Sequence, residues 1–300
     1  DAGGRFAHLR KRGIVGVRAL SFRASMTDEI VLLQDAGEEP RFGGKAASLA
    51  RALKHGLPAP PGFALSAAAV SALDEGNRAT LHALRAAYRS LGGLVAVRSS
   101  AIGEDSGDAS FAGQHLTKLG VLGETALLAA IFAVNQSGHA EGAQHYRKLR
   151  AGAGGEIAVA IVVQRLRDPR AAGVLFTRDP VTGADCRVAE GAPGLGEAVV
   201  SSLVTPDFVR FARGGAILDT RAGHKPLSLH PLPGGGVEKR ETRAAEADAL
   251  CLSPGDVEAL DGLATQCETH YGGPQDIEWA FAEGGLYLLQ SRPITVAGAR

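Results

Sequence analysis

The chain has 300 residues, of which 45% are hydrophobic and 21% charged, enough apolar material for a large folded domain or two lobes. Its 32 basic and 32 acidic side chains cancel, so no overall field would attract nucleic acid or an anionic membrane. Three cysteines without a C-x-x-C pair exclude a recognisable disulfide framework or zinc motif and favour a reducing cytoplasm.

Residues 1–25 differ in composition from the rest of the chain. They contain six Arg or Lys residues and one acid, Asp1, and the only methionine, Met26, follows them. Such a start is typical of an organelle-targeting peptide, and it is equally compatible with an extension that is not part of the fold. We favour a leader or extension, and we expect the folded region to occupy residues 26–300.

The next part of the chain alternates between helical and extended patterns. Apolar residues with helical spacing predict a short helix over 44–54, which His55 and Gly56 would end. Ser66 is a suitable N-cap for a second helix over 67–73. Further along, the patterns predict strands over 94–98, 157–164 and 173–177, a helix over 124–150, and a surface loop or weak sheet edge over 222–245.

The carboxy-terminal part of the chain predicts a β-hairpin. Two β-patterned runs, 276–282 and 286–290, flank a three-residue loop that contains two glycines. Such a loop between two such runs is typical of a hairpin, although a bulge would shift the register by one residue. With the turn centred on this loop, Ile277, Trp279 and Leu289 form an apolar face that packs on the core.

The opposite face of the predicted hairpin is polar. The same register pairs Glu278 with Gln290 and Asp276 with Arg292, with opposed Cβ atoms ~4.5–5.5 Å apart. Carboxylate and amide oxygens at this separation suit Mg²⁺, and a guanidinium suits a phosphate because its fork donates two parallel hydrogen bonds. Residue types alone leave open a solvated face with a cross-strand Asp–Arg ion pair.

Two earlier segments have the composition of phosphate-binding sites. Gly43–Lys45 stands at the start of a predicted helix, where backbone N–H groups and a basic side chain suit an anion, although an ordinary helix start has the same sequence. Arg98 ends a predicted strand before a loop rich in Gly, Ser, Asp and Ala. It would grip a polyphosphate beneath that loop, or form a structural ion pair with Glu104 or Asp105.

Two further segments carry weaker signals. Gln164, Arg165 and Leu166 follow a predicted buried strand, where backbone groups can hydrogen-bond the edge of an adenine ring. The sequence GAPGLGE, residues 191–197, is a Gly-rich turn before a helical stretch, and a plain turn explains it equally well.

Taken together, these segments resemble one family. The segments 43–63, 95–114, 162–183, 194–207 and 274–295 resemble, in order, the ATP-binding domain of phosphoenolpyruvate synthase, which pyruvate phosphate dikinase and rifampin phosphotransferase share. The resemblance implies an α+β fold of the ATP-grasp type, with ATP between two lobes that occupy roughly residues 26–160 and 161–300.

The resemblance also implies roles for individual residues. Lys45, Arg98 and Arg292 match the family's phosphate-gripping, catalytic positions. Glu278 and Gln290 match its Mg²⁺ ligands, and Asp276 lies in the same ATP-binding motif. Gln164, Arg165 and Leu166 match the segment that lines the adenine pocket.

Some positions depart from the family pattern. Ser106-Gly107 replaces a common Leu-Pro pair, and Ala192-Pro193 replaces a bulkier stretch. None of the nine histidines lies in a T-S-H-A motif of the kind that carries the family's phosphohistidine. We therefore expect a separate polypeptide or domain to carry the phosphohistidine and the pyruvate site.

Three functions are compatible with this sequence. The first is the nucleotide-binding part of a phosphoenolpyruvate synthase or dikinase, which passes phosphate from Mg-ATP to a histidine on its partner. The second is a phosphotransferase of the rifampin phosphotransferase type, acting on an antibiotic or a metabolite. The third is a non-catalytic ATP sensor, which the intact set of charged site residues disfavours.

Overall fold

A computed structural model describes residues 26–101, 117–149 and 159–294. The predicted leader over residues 1–25 therefore lies outside the described residues. So do most of the loop that follows Arg98 and the departure at Ser106-Gly107.

The described strands form two main antiparallel sheets and a small one. In the first sheet the order is β1-β2-β5-β3-β4, and in the second it is β13-β12-β6-β7-β8-β9. Strands β10 and β11 form the small two-stranded sheet. The strands are β1 (Ile30–Leu32), β2 (Gly62–Leu65), β3 (Val95–Ala101), β4 (Thr117–Val121), β5 (Val159–Arg165), β6 (Pro169–Phe176), β7 (Arg187–Pro193), β8 (Asp207–Phe211), β9 (Ile217–Arg221), β10 (Leu227–Pro231), β11 (Val237–Glu241), β12 (Gln275–Ala282) and β13 (Gly285–Pro293).

Seven α-helices accompany these strands in the described part of the chain. They are α1 (Glu39–Lys54), α2 (Ala67–Asp74), α3 (Arg78–Leu91), α4 (Glu124–Leu149), α5 (Glu197–Val200), α6 (Ala244–Ala247) and α7 (Pro254–Tyr271), and a 3₁₀ turn covers Leu33–Asp35. The predicted α+β class is confirmed, and Ser66 caps α2 as predicted by accepting a hydrogen bond from the Ala69 amide at 3.1 Å. In the described residues we find no helix long and apolar enough to cross a membrane.

The first sheet is buried on both faces because its central strands alternate between two cores. Phe63 and Leu65 of β2 point toward α2, α3 and α4, where they join a large apolar cluster. Ala64, between them, faces the opposite way and packs with Phe42 and Leu49 of α1. The strand period of two thus places α1 alone on one face and the other three helices on the opposite face.

The second sheet packs one face against α7 and leaves the other toward the first sheet. Ile277 and Trp279 are fully buried against α7, which contributes Leu260 and Leu263. A Cβ atom at Gly191 would lie 2.9 Å from the Trp279 ring, so only glycine leaves room for the indole at that position. All strands up to Arg165 belong to the first sheet, and β6 is the first strand of the second sheet. Residues 166–168 therefore connect the two sheets. The expected boundary between the lobes, near residue 160, lies within β5.

The segment 222–245, expected to be a surface loop or weak sheet edge, contains a separate hairpin formed by β10 and β11. Its strands were not predicted because glycines and prolines around them hide the alternation. A fully buried ion pair anchors its base, since Lys225 Nζ lies 2.5 Å from Asp207 Oδ1. The same carboxylate accepts hydrogen bonds from the amides of Gly223, at 2.8 Å, and Cys251, at 2.7 Å.

We predict that Lys225→Met lowers the free energy of unfolding by about 3–5 kcal/mol, because it leaves the Asp207 carboxylate buried without a counter-charge. Urea unfolding followed by circular dichroism measures this difference. Lys239→Met, at an exposed position of β11, is the matched control and should change stability by less than about 0.5 kcal/mol. Equal effects of the two substitutions would contradict the anchoring role of Lys225.

Candidate functional site

The polar face of the β12–β13 hairpin has the predicted residue pairs. Glu278 lies directly opposite Gln290, and Asp276 lies opposite Arg292. All four side chains therefore project from the same face, since each strand separates its two members by two residues. The structure thus brings together the carboxylate, amide and guanidinium groups that the sequence predicted to share one face.

The turn and the ladder that produce this register differ from the predicted ones. The turn has two residues rather than three, because Ala282 pairs with Gly285. That turn alone would place Glu278 opposite Leu289, but a β-bulge between Glu278 and Trp279 in the ladder restores the predicted pairs. The prediction that Leu289 faces the core was therefore wrong: Leu288 is fully buried there, while the bulged Leu289 lines the opposite side.

Arg98 connects this hairpin to the first sheet. Its Nη1 donates a hydrogen bond to the Leu289 carbonyl oxygen at 3.2 Å and lies 3.4 Å from Glu278 Oε2. The bulge exposes that carbonyl to the guanidinium. Arg98 Nε is buried and has no hydrogen-bond partner among the described residues. The side chain is only 13% exposed, which keeps its charge in a partly desolvated position.

Asp276 and Arg292 form a close cross-strand ion pair at the edge of this face. Arg292 Nε donates to Asp276 Oδ2 at 2.8 Å, and Nη2 lies 2.7 Å from the same oxygen. Burial raises the pKa of the Asp276 carboxyl, while the neighbouring guanidinium opposes this increase and Glu278 adds to it. The ion pair that the sequence left open as an alternative is therefore present on the same face as Glu278 and Gln290.

Lys45 stands at the start of the regular part of α1. The helix is interrupted at Gly43, whose φ of 77° and ψ of 169° end the preceding turn, so a new helical segment begins at Gly44 as predicted. Ser100 Oγ of β3 accepts a hydrogen bond from the Ala46 amide at 3.1 Å and thereby caps the start of this helical segment. A Cβ atom at Gly43 would lie 2.1 Å from the Ser100 carbonyl oxygen, so this close approach requires glycine.

The same helix contacts the β12–β13 hairpin. Ser48 Oγ donates to the carbonyl oxygen of Ser291 at 2.8 Å, and the Tyr271 hydroxyl donates to the Ser48 carbonyl oxygen at 2.8 Å. Ser291 follows Gln290, and Lys45 precedes Ser48 by one helical turn. The helix that carries Lys45 therefore packs against the hairpin through Ser48, and a role for Lys45 at this site stays a prediction.

A cleft extends from Arg98 between the two sheets. The first sheet contributes Ala96 and Gln164, and the second contributes Ala172, Ala280 and Leu289. The lining is mainly small or apolar, which is the usual character of a surface that packs against a flat ring. Arg165 and Leu166 also line this cleft, so the three residues of the predicted adenine segment meet there. Gln164 itself is 2% exposed and donates its amide to the Pro60 carbonyl oxygen at 3.2 Å.

Glu197 is a charged residue of this site that sequence reasoning missed. It begins α5, directly after Gly196 in the cleft wall. Burial raises the pKa of its carboxyl group, the charge of Arg98 opposes that increase, and the charge of Glu278 adds to it. The only signal in the sequence was its place in the segment 191–197, which a plain turn explained equally well.

An acid–amide pair and a partly buried arginine at one end of an apolar cleft suit a ligand that joins a flat ring to a charged group. A family model describes the AMP/ATP-binding domain of pyruvate phosphate dikinase and matches residues 77–300. The chain therefore belongs to the pyruvate phosphate dikinase AMP/ATP-binding domain family.

Three curated relatives support this membership. The chain is 37% identical to the prodigiosin synthesizing transferase PigC of Serratia marcescens, over 86% of this chain and 32% of that protein. It is 33% identical to a probable phosphoenolpyruvate synthase of Methanothermobacter thermautotrophicus, over 85% and 44% of the two chains. It is 34% identical to a rifampicin phosphotransferase of Streptomyces sp., over 87% and 35%. The chain thus spans a third to under half of each relative.

We predict that the pKa of Glu197 rises in Arg98→Met, which removes an attractive charge, and falls in Glu278→Gln, which removes a repulsive one. Carboxyl ¹³C shifts of the metal-free protein, recorded as a function of pH, measure both changes. Arg89→Met, an exposed arginine at the end of α3, is the control and should leave the Glu197 titration unchanged. Shifts in the opposite directions would contradict the proximity of the three charges.

Proposed function

We propose that this domain binds Mg-ATP in the cleft and passes phosphate to an acceptor held by another domain or polypeptide. ATP carries about four negative charges, and phosphoryl transfer requires that they be neutralised and aligned. Lys45, Arg98 and Arg292 hold the phosphates in this proposal. The Arg98 guanidinium beside the Glu278–Gln290 pair is the observation that most directly supports it. The purine lies toward Gln164, at the apolar end of the cleft.

The oxygen donors of the hairpin fit Mg²⁺. Glu278 and Gln290 are directly paired, and Mg²⁺ is usually held by one or two protein oxygens together with phosphate oxygens and water. Among the residues that the structure describes, no group of three or more His, Cys, Asp or Glu side chains would enclose a metal by itself. The set therefore suits a cation shared with a polyphosphate, which would neutralise phosphate charge during transfer.

The remaining chemistry is positioning. Arg98 orients the phosphates from the first sheet, and Arg292, held by its ion pair with Asp276, does so from the second. Closure of the cleft excludes water from the reacting phosphorus. An imidazole acceptor attacks phosphorus with its own lone pair, so this domain needs no side-chain base. A histidine on a phosphoenolpyruvate synthase-type partner is therefore the acceptor we propose.

A small-molecule acceptor is the second candidate. Relatives named as a phosphoenolpyruvate synthase and as a rifampicin phosphotransferase have nearly equal identity to this chain, 33% and 34%. Similarity to both kinds of relative therefore makes an antibiotic or metabolite the second candidate acceptor.

We predict that Glu278→Ala weakens Mg-dependent ATP binding at least 10-fold, since loss of even an outer-sphere partner typically costs 10- to 100-fold in metal affinity. Isothermal titration calorimetry with and without Mg²⁺ measures the change. Glu283→Ala, at the exposed turn of the same hairpin, is the matched control and should bind normally. Unchanged Mg-dependent binding in Glu278→Ala would refute the assignment of this residue as a metal ligand.

The acceptor is identified by incubating the chain with β- or γ-labelled ATP, pyruvate and extract of the source cells. We expect acid-labile, alkali-stable label on a second polypeptide, as phosphohistidine requires. Label on a small molecule other than phosphoenolpyruvate or free phosphate, with no labelled polypeptide, would instead support the second candidate. Binding without any transfer or hydrolysis would favour an ATP sensor and contradict both phosphotransferase proposals, and the Glu278→Ala variant provides the background.

A further inference from the structure

The β10–β11 hairpin contacts the segment that connects the two sheets. Residues 166–168 form this connection, and Leu166 and Arg167 line the cleft at the end where the proposed purine lies. His230 of β10 places its Nδ1 2.7 Å from Asp168 Oδ1 and its Nε2 3.1 Å from Ser228 Oγ. Because an ionised carboxylate only accepts, Nδ1 is the donor in the first bond. The imidazole thus holds the connecting segment against the hairpin.

The base of this hairpin is fitted closely to the cleft wall of the second sheet. The Leu195 amide donates to the Leu229 carbonyl oxygen at 2.8 Å, and Gly194 forms a bridge with the same residue. Gly194 has a φ of 79°, and a Cβ atom there would lie 2.4 Å from that oxygen and 3.3 Å from His230 Nε2. The first glycine of the Gly-Leu-Gly sequence is therefore required by the docked hairpin.

The tip of the hairpin reaches the first sheet. The Gly236 amide donates to the Gly120 carbonyl oxygen of β4 at 2.7 Å. Gly120 has a φ of 68°, and a Cβ atom there would lie 2.2 Å from the Gly236 carbonyl oxygen. Between base and tip, one apolar cluster joins Leu119 of the first sheet, Leu166 of the connection and Leu229 of the hairpin. The hairpin thus contacts both walls of the cleft and the segment that joins them.

We propose that His230 and Gly120 are positioning residues for nucleotide binding. Both act through the β10–β11 hairpin, which sets the spacing of the two cleft walls at the purine end. Neither residue touches the nucleotide: His230 fixes the connecting segment through Asp168, and Gly120 lets the hairpin tip meet β4. This inference rests on the proposed function, since it requires that the cleft bind ATP.

The first test compares three histidine variants by calorimetric titration with Mg-ATP. His230→Ala removes the bond to Asp168 and should weaken ATP binding about tenfold, the size expected for one charge-assisted hydrogen bond. His230→Asn keeps an amide donor near the position of Nδ1 and should restore most of the affinity. His224→Ala is the matched control, because His224 forms an exposed bond of the same length, 2.7 Å, with Asp248.

Two outcomes of this test would overturn the role of His230. The first is unchanged ATP affinity in His230→Ala. The second is an equal loss of ATP affinity in the alanine and asparagine variants, in proportion to the fraction of each variant that is unfolded. A purely structural role of His230 predicts that correlation. Thermal unfolding of each variant, recorded under the titration conditions, separates the two explanations.

The second test compares two glycines with left-handed backbones in the same part of the chain. Gly120→Ala adds a methyl group that displaces the hairpin tip, whereas Gly123→Ala has a φ of 90° and nothing within 4 Å of the added carbon. Both variants carry the same kind of backbone strain. Only Gly120→Ala should weaken ATP binding, about tenfold, and increase the radius of gyration in small-angle X-ray scattering.

Equal effects of the two alanine substitutions would overturn the role of the hairpin tip. Failure of the proposed function is distinguishable from failure of this inference. A native protein that does not bind ATP contradicts the proposed function itself. A native protein that binds ATP, with Gly120→Ala and His230→Ala binding equally well, contradicts only the positioning role.

Discussion

The guanidinium of Arg98 joins the two sheets at the polar end of the cleft. It reaches from β3 to the hairpin of the second sheet, where it contacts the Leu289 carbonyl oxygen and the Glu278 carboxylate. This contact falls at the β-bulge, where Leu289 is the extra residue of β13 and has no partner residue in β12. One extra residue in β13 thus both positions the polar pairs and provides the acceptor that receives Arg98.

The charges around Arg98 are only partly balanced by the protein. Glu278 and Glu197 are both close enough to affect the same site, and burial raises the pKa of Glu197 although a guanidinium is nearby. Arrangements of this kind, in which desolvation and a specific charge act on one carboxylate, are concentrated at functional sites. In the proposed function, a magnesium–polyphosphate complex would bring a cation to these two acids and an anion to the Arg98 guanidinium.

Close backbone approaches determine which elements meet at this site. At Gly43, the start of the regular part of α1 comes against the Ser100 carbonyl oxygen, so β3 caps the helix that carries Lys45. At Gly194 and Gly120, the β10–β11 hairpin lies against the two cleft walls. Each contact brings backbone atoms nearer than any side chain allows. Close packing, rather than flexibility, therefore explains why these three positions are glycine.

The sequence alone determined the elements whose information is local. Periodicity located α2 with its cap and the carboxy-terminal hairpin. The period of two also placed Asp276 with Glu278, and Gln290 with Arg292, on one face of each strand. Only the tertiary structure decided the bulge, which buries Leu288 rather than Leu289 in the core. It also decided the position of Glu197 beside Arg98 and the docking of the β10–β11 hairpin. The physical reason is that these features depend on contacts between distant segments, and a repeat read along one strand or helix contains no information about what packs against it.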